Sequence, residues 1–188
     1  QFEQIGKSFS GIVALDDVTF EVATGEVHAL VGENGAGKST LMNILSGNHR
    51  DYRGRVVVDG QPLALRGPRD AQRHGIAIIH QELDLIPELS IAENIVLGRE
   101  PRRFGRLLDH RRMHATARRL LDRLELDVST RRPVHTLRVG EQQLVEIAKA
   151  LSFDMRVLIL DEPTSALSDT EAQRLFAVID ALRADGVT

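Results

Sequence analysis

Gly32-Glu33-Asn34-Gly35-Ala36-Gly37-Lys38-Ser39 is the stretch on which the reading of this chain turns. It fits G-x-x-x-x-G-K-[ST], a loop that cradles phosphate groups. The apolar run Val27–Val31 precedes it and reads as a strand, entered through the turn Ala23-Thr24-Gly25-Glu26. Leu41, Ile44 and Leu45 follow at helical spacing, and Gly47 is placed to end that helix. Strand, loop and helix in this order is the context in which the motif carries meaning. Gly32, Gly35 and Gly37 let the backbone curl until several N–H groups point at one anion. A helix starting near Lys38 adds the positive end of its dipole. Lys38 supplies a point charge for the β- and γ-phosphates. Ser39 offers a hydroxyl to Mg²⁺, a hard ion that prefers oxygen. Gly32, Glu33, Asn34, Gly35, Ala36, Gly37, Lys38, Ser39 and Thr40 are thus candidate contacts for a nucleoside triphosphate. The motif alone does not choose between kinase, GTPase and ATPase.

A second element lies further on. Val157-Leu158-Ile159-Leu160 reads as a buried strand and carries Asp161-Glu162 at its C-terminal tip, where α/β sheets place ligands. Asp161 is a candidate Mg²⁺ ligand, directly or through water. Side chains alternate along a strand, so Glu162 points to the other side. A carboxylate there can take a proton from an attacking water, help typically worth ~10²–10⁴ in rate.

The rest of the chain is consistent with one globular domain. It has 188 residues, 42% hydrophobic and 27% charged, which is ordinary for a soluble fold. A net charge of -3 argues against general nucleic-acid binding, which calls for a basic surface. Without cysteines there is neither a disulfide framework nor a thiolate metal site. No apolar run approaches the ~18–20 residues of a membrane span, so any crossing falls to another subunit. Val18–Val22, Arg55–Val58 and Ile76–Ile79 read as further strands. From Ile91 to about Phe153 the pattern is mostly helical, with Leu107, Leu108, Met113, Leu120 and Leu121 among paired arginines. These arginines read as a solvated helical face. A nucleic-acid patch lacks interleaved aromatics. Glu141–Leu151 is an amphipathic helix. Ser168 or Asp169 can cap a last helix running through Leu182, after which Val187-Thr188 would begin another strand. Strands alternating with helices argue α/β architecture with a mostly parallel sheet. The seven histidines show no zinc-like spacing.

Taken together, these segments resemble the ATPase subunits of ABC transporters over nearly the whole chain. Gly6-Lys7-Ser8-Phe9-Ser10-Gly11 and Ala14-Leu15-Asp16-Asp17-Val18 look like the family's opening, and Phe9 matches the aromatic that stacks on adenine. Gln81, after Ile78-Ile79-His80, matches the glutamine that senses Mg²⁺ and the γ-phosphate. Asp161-Glu162-Pro163-Thr164-Ser165-Ala166-Leu167 matches the acidic strand and the D-loop, whose residues Ser165–Asp169 would face a partner ATPase. The resemblance implies Glu162 and Gln81 as catalytic residues, Ser39, Gln81 and Asp161 as Mg²⁺ contacts, and ATP as the nucleotide. The family signature L-S-G-G-Q falls on Leu137-Arg138-Val139-Gly140-Glu141. There Arg138, Val139, Gly140 and Glu141 would meet ATP held by the other subunit, with Arg138 in place of the usual serine hydroxyl.

The resemblance also implies a phosphate-loop fold of ABC type. Residues 1–81 and 154–188 would form the catalytic core, with N-terminal antiparallel strands, and 82–153 an inserted helical subdomain. His80-Gln81-Glu82-Leu83-Asp84-Leu85-Ile86-Pro87 and Gln142-Gln143-Leu144-Val145-Glu146 look like the first ATPase half of bacterial monosaccharide importers. Expected partners are a second ATPase half or subunit, transmembrane permease subunits and, indirectly, a solute-binding protein, with no nucleic acid. The expected place is cytoplasmic, on the inner face of the cell membrane. A soluble ABC protein without a permease, or a regulatory half with weak hydrolysis, are the alternatives. The family's switch histidine would lie beyond Thr188, so a fragment lacking the C-terminal part of its sheet is expected.

Overall fold

The computed structural model describes residues 1–80, 83–164 and 167–188. In chain order the elements are β1 (Phe2–Phe9), β2 (Ile12–Phe20), α1 (Lys38–Leu45), β3 (Arg53–Val58), β4 (Gln61–Leu63), α2 (Pro68–Arg73), β5 (Ile76–Ile79), α3 (Ile91–Val96), β6 (Arg102–Arg103), β7 (Leu107–Leu108), α4 (His110–Arg123), a 3₁₀ turn (Val134–Thr136), α5 (Val139–Leu151), β8 (Val157–Leu160) and α6 (Asp169–Ala184). They fall into two compact units. One holds Gln1–Ile78, Met155–Ile159 and Leu182–Thr188; the other holds Ile79–Asp154 and Leu160–Ala181.

The first unit is built on a sheet in the order β2-β1-β3-β4. All three pairings in it are antiparallel, β1 with β2 and with β3, and β3 with β4. Phe2, Ile5, Leu15, Val56 and Leu63 point from this sheet onto Leu41, Ile44 and Leu45 of α1, with Ile76 and Ile159 in the same cluster. Burying this face holds α1, and therefore the loop before it, against the sheet. A fully buried aliphatic or aromatic side chain contributes ~1.5–3 kcal/mol.

β5 and β8 pair separately. The carbonyl of Gly75 accepts from Val157 N–H, and four residues on the carbonyl of Ile79 accepts from Asp161 N–H. Both chains advance together, so the pair is parallel. On the far side of β8, Thr188 N–H donates to Arg156 and Thr188 O accepts from Leu158 N–H. Thr188 is thus hydrogen-bonded alongside β8, although Val187-Thr188 is not itself a strand.

Three local expectations change. The strand expected at Val18–Val22 runs instead over Ile12–Phe20, where β1 supplies a partner along its length. Val27–Val31 is not a strand. No backbone neighbour pairs with it among the described residues, and Val27 and Val31 are 58% and 93% exposed. A strand is defined by its ladder, so an apolar run without a partner stays irregular. Leu107 and Leu108 are not helical either. They form a short hairpin with Arg102 and Arg103, because Pro101 and Gly105 interrupt the helical pattern.

The second unit is mainly helical. α3 packs on α4 and α5, and α4 on α5. Ile91, Ile95, Leu121, Leu144, Val145 and Ile147 are fully buried in it. Ser90 caps α3 in a reciprocal box with Glu93, and the Ser90 hydrogen bonds hold the Glu93 carboxyl below its usual range. Asn94, fully buried, accepts from Ile86 N–H and donates to the carbonyls of Ile86, Leu89 and Ser90. This satisfied polar side chain fixes the loop 86–90 that enters α3. No helix is long and apolar enough to cross a membrane among the described residues.

Candidate functional site

The phosphate loop lies in the first unit. Gly35 and Gly37 have φ of 85° and 88°, left-handed values that a Cβ makes costly. At Gly37 space is also decisive. A Cβ there would sit 2.6 Å from the Ala14 carbonyl oxygen and 2.7 Å from Leu15 Cδ2. The loop thus rests directly on β2. Gly37 is the N-cap of α1, and no side chain among the described residues caps that helix start. Its first N–H groups are left for solvent or a ligand. The Lys38 ammonium, half-buried, donates to the carbonyls of Gly32 at 2.6 Å and Glu33 at 2.9 Å. It therefore reaches back across the loop rather than into an ion pair. A turn closed by Ala36 N–H on Glu33 O, 3.1 Å, shapes the front of the loop. Asn34 and Ser39 are exposed, and Thr40 is half-buried in the first turn of α1.

Phe9 is at the end of β1 and 41% exposed. It is not a core aromatic. Its ring meets His49 edge-on at 5.2 Å, and the Lys7 ammonium lies 5.0 Å from its centroid. His49 N–H in turn donates to the Asn43 carbonyl in α1. Phe9 thus presents one available face beside the end of the helix that the phosphate loop starts.

The second unit contains the acidic pair and the signature segment. Asp161 is half-buried and Glu162 exposed. Glu162 has φ of 49°, a left-handed conformation that costs a non-glycine residue ~1–3 kcal/mol and recurs at functional sites. The turn after the pair is tied to α5, because Gln143, a buried residue of that helix, donates to the Pro163 carbonyl. Gly140 is buried at the start of α5, and a Cβ on it would lie 2.4 Å from Glu171 Oε1. Glu171 also accepts from Ser168 at the start of α6. Those bonds, with a smaller contribution from the nearby Arg138 charge, lower the Glu171 carboxyl. Arg138 and Val139 are exposed. The Arg138 N–H donates to Glu141 Oε2 at 2.9 Å, so the signature helix already carries its own carboxylate at its start. This unit brings the Arg138–Glu141 segment, Pro163 and the beginning of α6 together. Gln81, Ser165 and Ala166 lie outside the described residues.

Two polar residues on α5 escape a reading of the sequence. Gln143 anchors Pro163. Glu146 is 7% exposed; its Oε1 pairs with the Lys149 ammonium at 3.3 Å, while Oε2 has no hydrogen-bond partner among the described residues. Burial pushes this carboxyl up, Lys149 and His80 pull it down, and Asp84 adds a further upward push. Lys149 also donates to the Asp84 carbonyl. The available signal was a glutamine and a glutamate interleaved with Leu144, Val145 and Ile147 on one helix.

Comparison with known proteins bears on all of this. The ABC transporter family matches residues 15–165. The ribose import ATP-binding protein RbsA of Rhodopirellula baltica is 54% identical over 185 residues, 98% of this chain and 36% of that protein. Ribose import ATP-binding protein RbsA 2 of Streptomyces avermitilis is 55% identical over 185 residues, with the same coverage. The chain thus spans about 36% of the length of these curated relatives. Among solved structures, MJ1267, an ATP-binding cassette of an ABC transporter, superposes with a TM-score of 0.85 at 28% identity, covering 100% of this chain and 78% of that one. The dimeric ATP-binding cassette MJ0796 bound to ADP and Pi superposes with a TM-score of 0.84 at 26% identity, covering 100% and 84%. With its phosphate loop, acidic strand end and signature helix in the family's order, this chain belongs to the ABC transporter ATP-binding family.

Proposed function

We propose that this chain binds MgATP on the loop Gly32–Ser39 and that the protein containing it hydrolyses ATP to drive monosaccharide import through a membrane permease. The observation that carries the reading is the state of the loop. Left-handed Gly35 and Gly37, the uncapped start of α1 and the Lys38 ammonium together suit a polyphosphate. Backbone N–H groups from Gly32 to Thr40 take the phosphate oxygens, and Lys38 leaves its carbonyl partners for the β- and γ-phosphates. Phe9 stacks on the adenine with its open face. Ser39 and Asp161 are oxygen donors of the kind Mg²⁺ takes alongside phosphates, and Gln81 is assigned with them; the ion's charge offsets that of the phosphates. Glu162 takes the proton of the attacking water. Residues 1–81 and 154–188 act as the catalytic core and 82–153 as the helical subdomain.

The sugar import named for the RbsA relatives supports the transport reading. The dimeric cassette supports a face-to-face partner that would meet Arg138–Glu141. The permease puts the protein on the cytoplasmic face of the membrane. A regulatory half with weak hydrolysis is the second reading, and Arg138 with its self-capped helix favours it. Glu162→Gln in the complete protein separates the two. A transport ATPase keeps ATP binding, loses turnover by ~10²–10⁴ and accumulates as an ATP-bound closed form. Unchanged turnover would remove Glu162 from its assigned role and favour the regulatory reading.

A further inference from the structure

The nucleotide chemistry leaves one feature of the second unit unused, the hairpin β6–β7. Its strands have two residues each, in the register Arg102↔Leu108 and Arg103↔Leu107. Phe104, Gly105 and Arg106 make the tip, a three-residue connection whose first two members are left-handed, with φ of 51° and 75°. Every residue from Arg102 to Leu108 is exposed. Phe104 is 85% exposed, Leu107 67% and Leu108 48%. Register places one arginine and one leucine on each face, so neither face is an inner one. The base is fixed, since Asp109 N–H donates to the Pro101 carbonyl at 2.7 Å and the Asp109 carboxylate caps α4 through Arg112 N–H.

Charge around the hairpin is one-sided. Arg102, Arg103, Arg106, Arg111 and Arg112 are all exposed. Two carboxylates lie nearby, Asp109 as the α4 cap and Glu100 on Gly98 N–H and near the Arg102 charge, and the five guanidinium groups outnumber them. The chain as a whole carries a net charge of -3, so this excess of cation is local. Arg103 also lies over the Phe104 ring, 5.1 Å from its centroid.

We infer that the hairpin Arg102–Leu108 is a contact element for an anionic phospholipid surface. A phospholipid interface takes both kinds of group at once: guanidinium groups pair with headgroup phosphates, while the Phe104 ring and the leucines enter the boundary with the acyl chains. The hairpin is convex, with all of its side chains projecting, so it suits a deformable surface better than a shaped protein groove. Nucleic acid would leave the two leucines unused and offer a single aromatic for stacking. The inference holds whether or not the protein hydrolyses ATP.

The test is co-sedimentation of the full-length protein with vesicles of phosphatidylcholine alone and of phosphatidylcholine with phosphatidylglycerol. Two variants are compared, Phe104→Ser with Leu107→Ser, and Arg103→Glu with Arg106→Glu. MgATP binding, measured on the same preparations, reports that each variant is folded. Wild-type protein should favour the anionic vesicles and release with added salt. The arginine variant should lose at least about tenfold in partitioning, since each arginine near such a surface is worth roughly fivefold. The serine variant should keep the salt dependence and partition more weakly. Equal sedimentation of wild type and both variants would overturn the inference. So would equal binding to both vesicle types, or variants that keep vesicle binding and lose only a detergent-purified permease.

Discussion

Two helices in this chain begin in sequences that bear on phosphate, and they begin differently. α1 starts at Gly37-Lys38 with no side-chain cap among the described residues, on a left-handed glycine, with a cation beside it. α5 starts at Arg138-Val139-Gly140-Glu141, where Glu141 returns to the Arg138 N–H. The first start has donors to give and a positive charge to add. The second has engaged part of its donor set with its own carboxylate and carries a long exposed cation where a hydroxyl is expected. An anion at α1 meets a first turn without an acidic residue and the Lys38 charge, whereas at α5 it competes with Glu141. A loop that follows the motif letter for letter thus coexists with a signature that departs from its family pattern.

Gly37→Ala should break this contrast most strongly. It adds a methyl group against the Ala14 carbonyl and Leu15 at a left-handed φ. Strain and overpacking together cost roughly 2–5 kcal/mol. Thermal unfolding should drop by several degrees and nucleotide affinity with it; an unchanged Tm would mean the loop does not rest on β2.

Gly140→Ala should cost less. Its new methyl group meets the Glu171 carboxylate, the far end of a flexible side chain. Glu171 can swing away, giving up its bonds to Ser168 and about 1 kcal/mol of capping. A Tm loss as large as that of Gly37→Ala would show that α6 cannot yield there.

Glu146→Gln sharpens the comparison within α5, and its effect is the smallest. The buried carboxyl is raised, so the fold favours its protonated form. As pH climbs from below the ordinary carboxylate range through the raised value, the wild type loses stability that the glutamine variant keeps. The Tm difference, variant minus wild type, should grow over that window and then level off. A difference independent of pH would mean that Lys149 compensates the burial.

How legible each part was depends on how local its physics is. Each residue of Gly32–Ser39 does its work within a few positions of itself, by turning the backbone, carrying charge or starting a helix, so the loop could be read directly. Ser168 at the start of the last helix is legible as a cap for the same reason. Val27–Val31 looked like a strand because its composition suits one, but strand formation needs a neighbour that composition does not supply. The hairpin at Arg102–Leu108 was hidden among paired arginines, which suit a solvated helix equally well; Pro101 and Gly105 were the clues. Gln143 and Glu146 were masked by their apolar neighbours, since a polar residue on a helix declares its burial only when the packing partner is known.

The most direct measurement is isothermal titration of MgATP into the full-length protein and its Lys38→Ala variant. If the loop Gly32–Ser39 holds the phosphates, the variant binds one nucleotide fewer per chain, or binds it at least ~100-fold more weakly, with its fold intact. Equal stoichiometry and affinity in both would contradict the assignment of this loop as the ATP site.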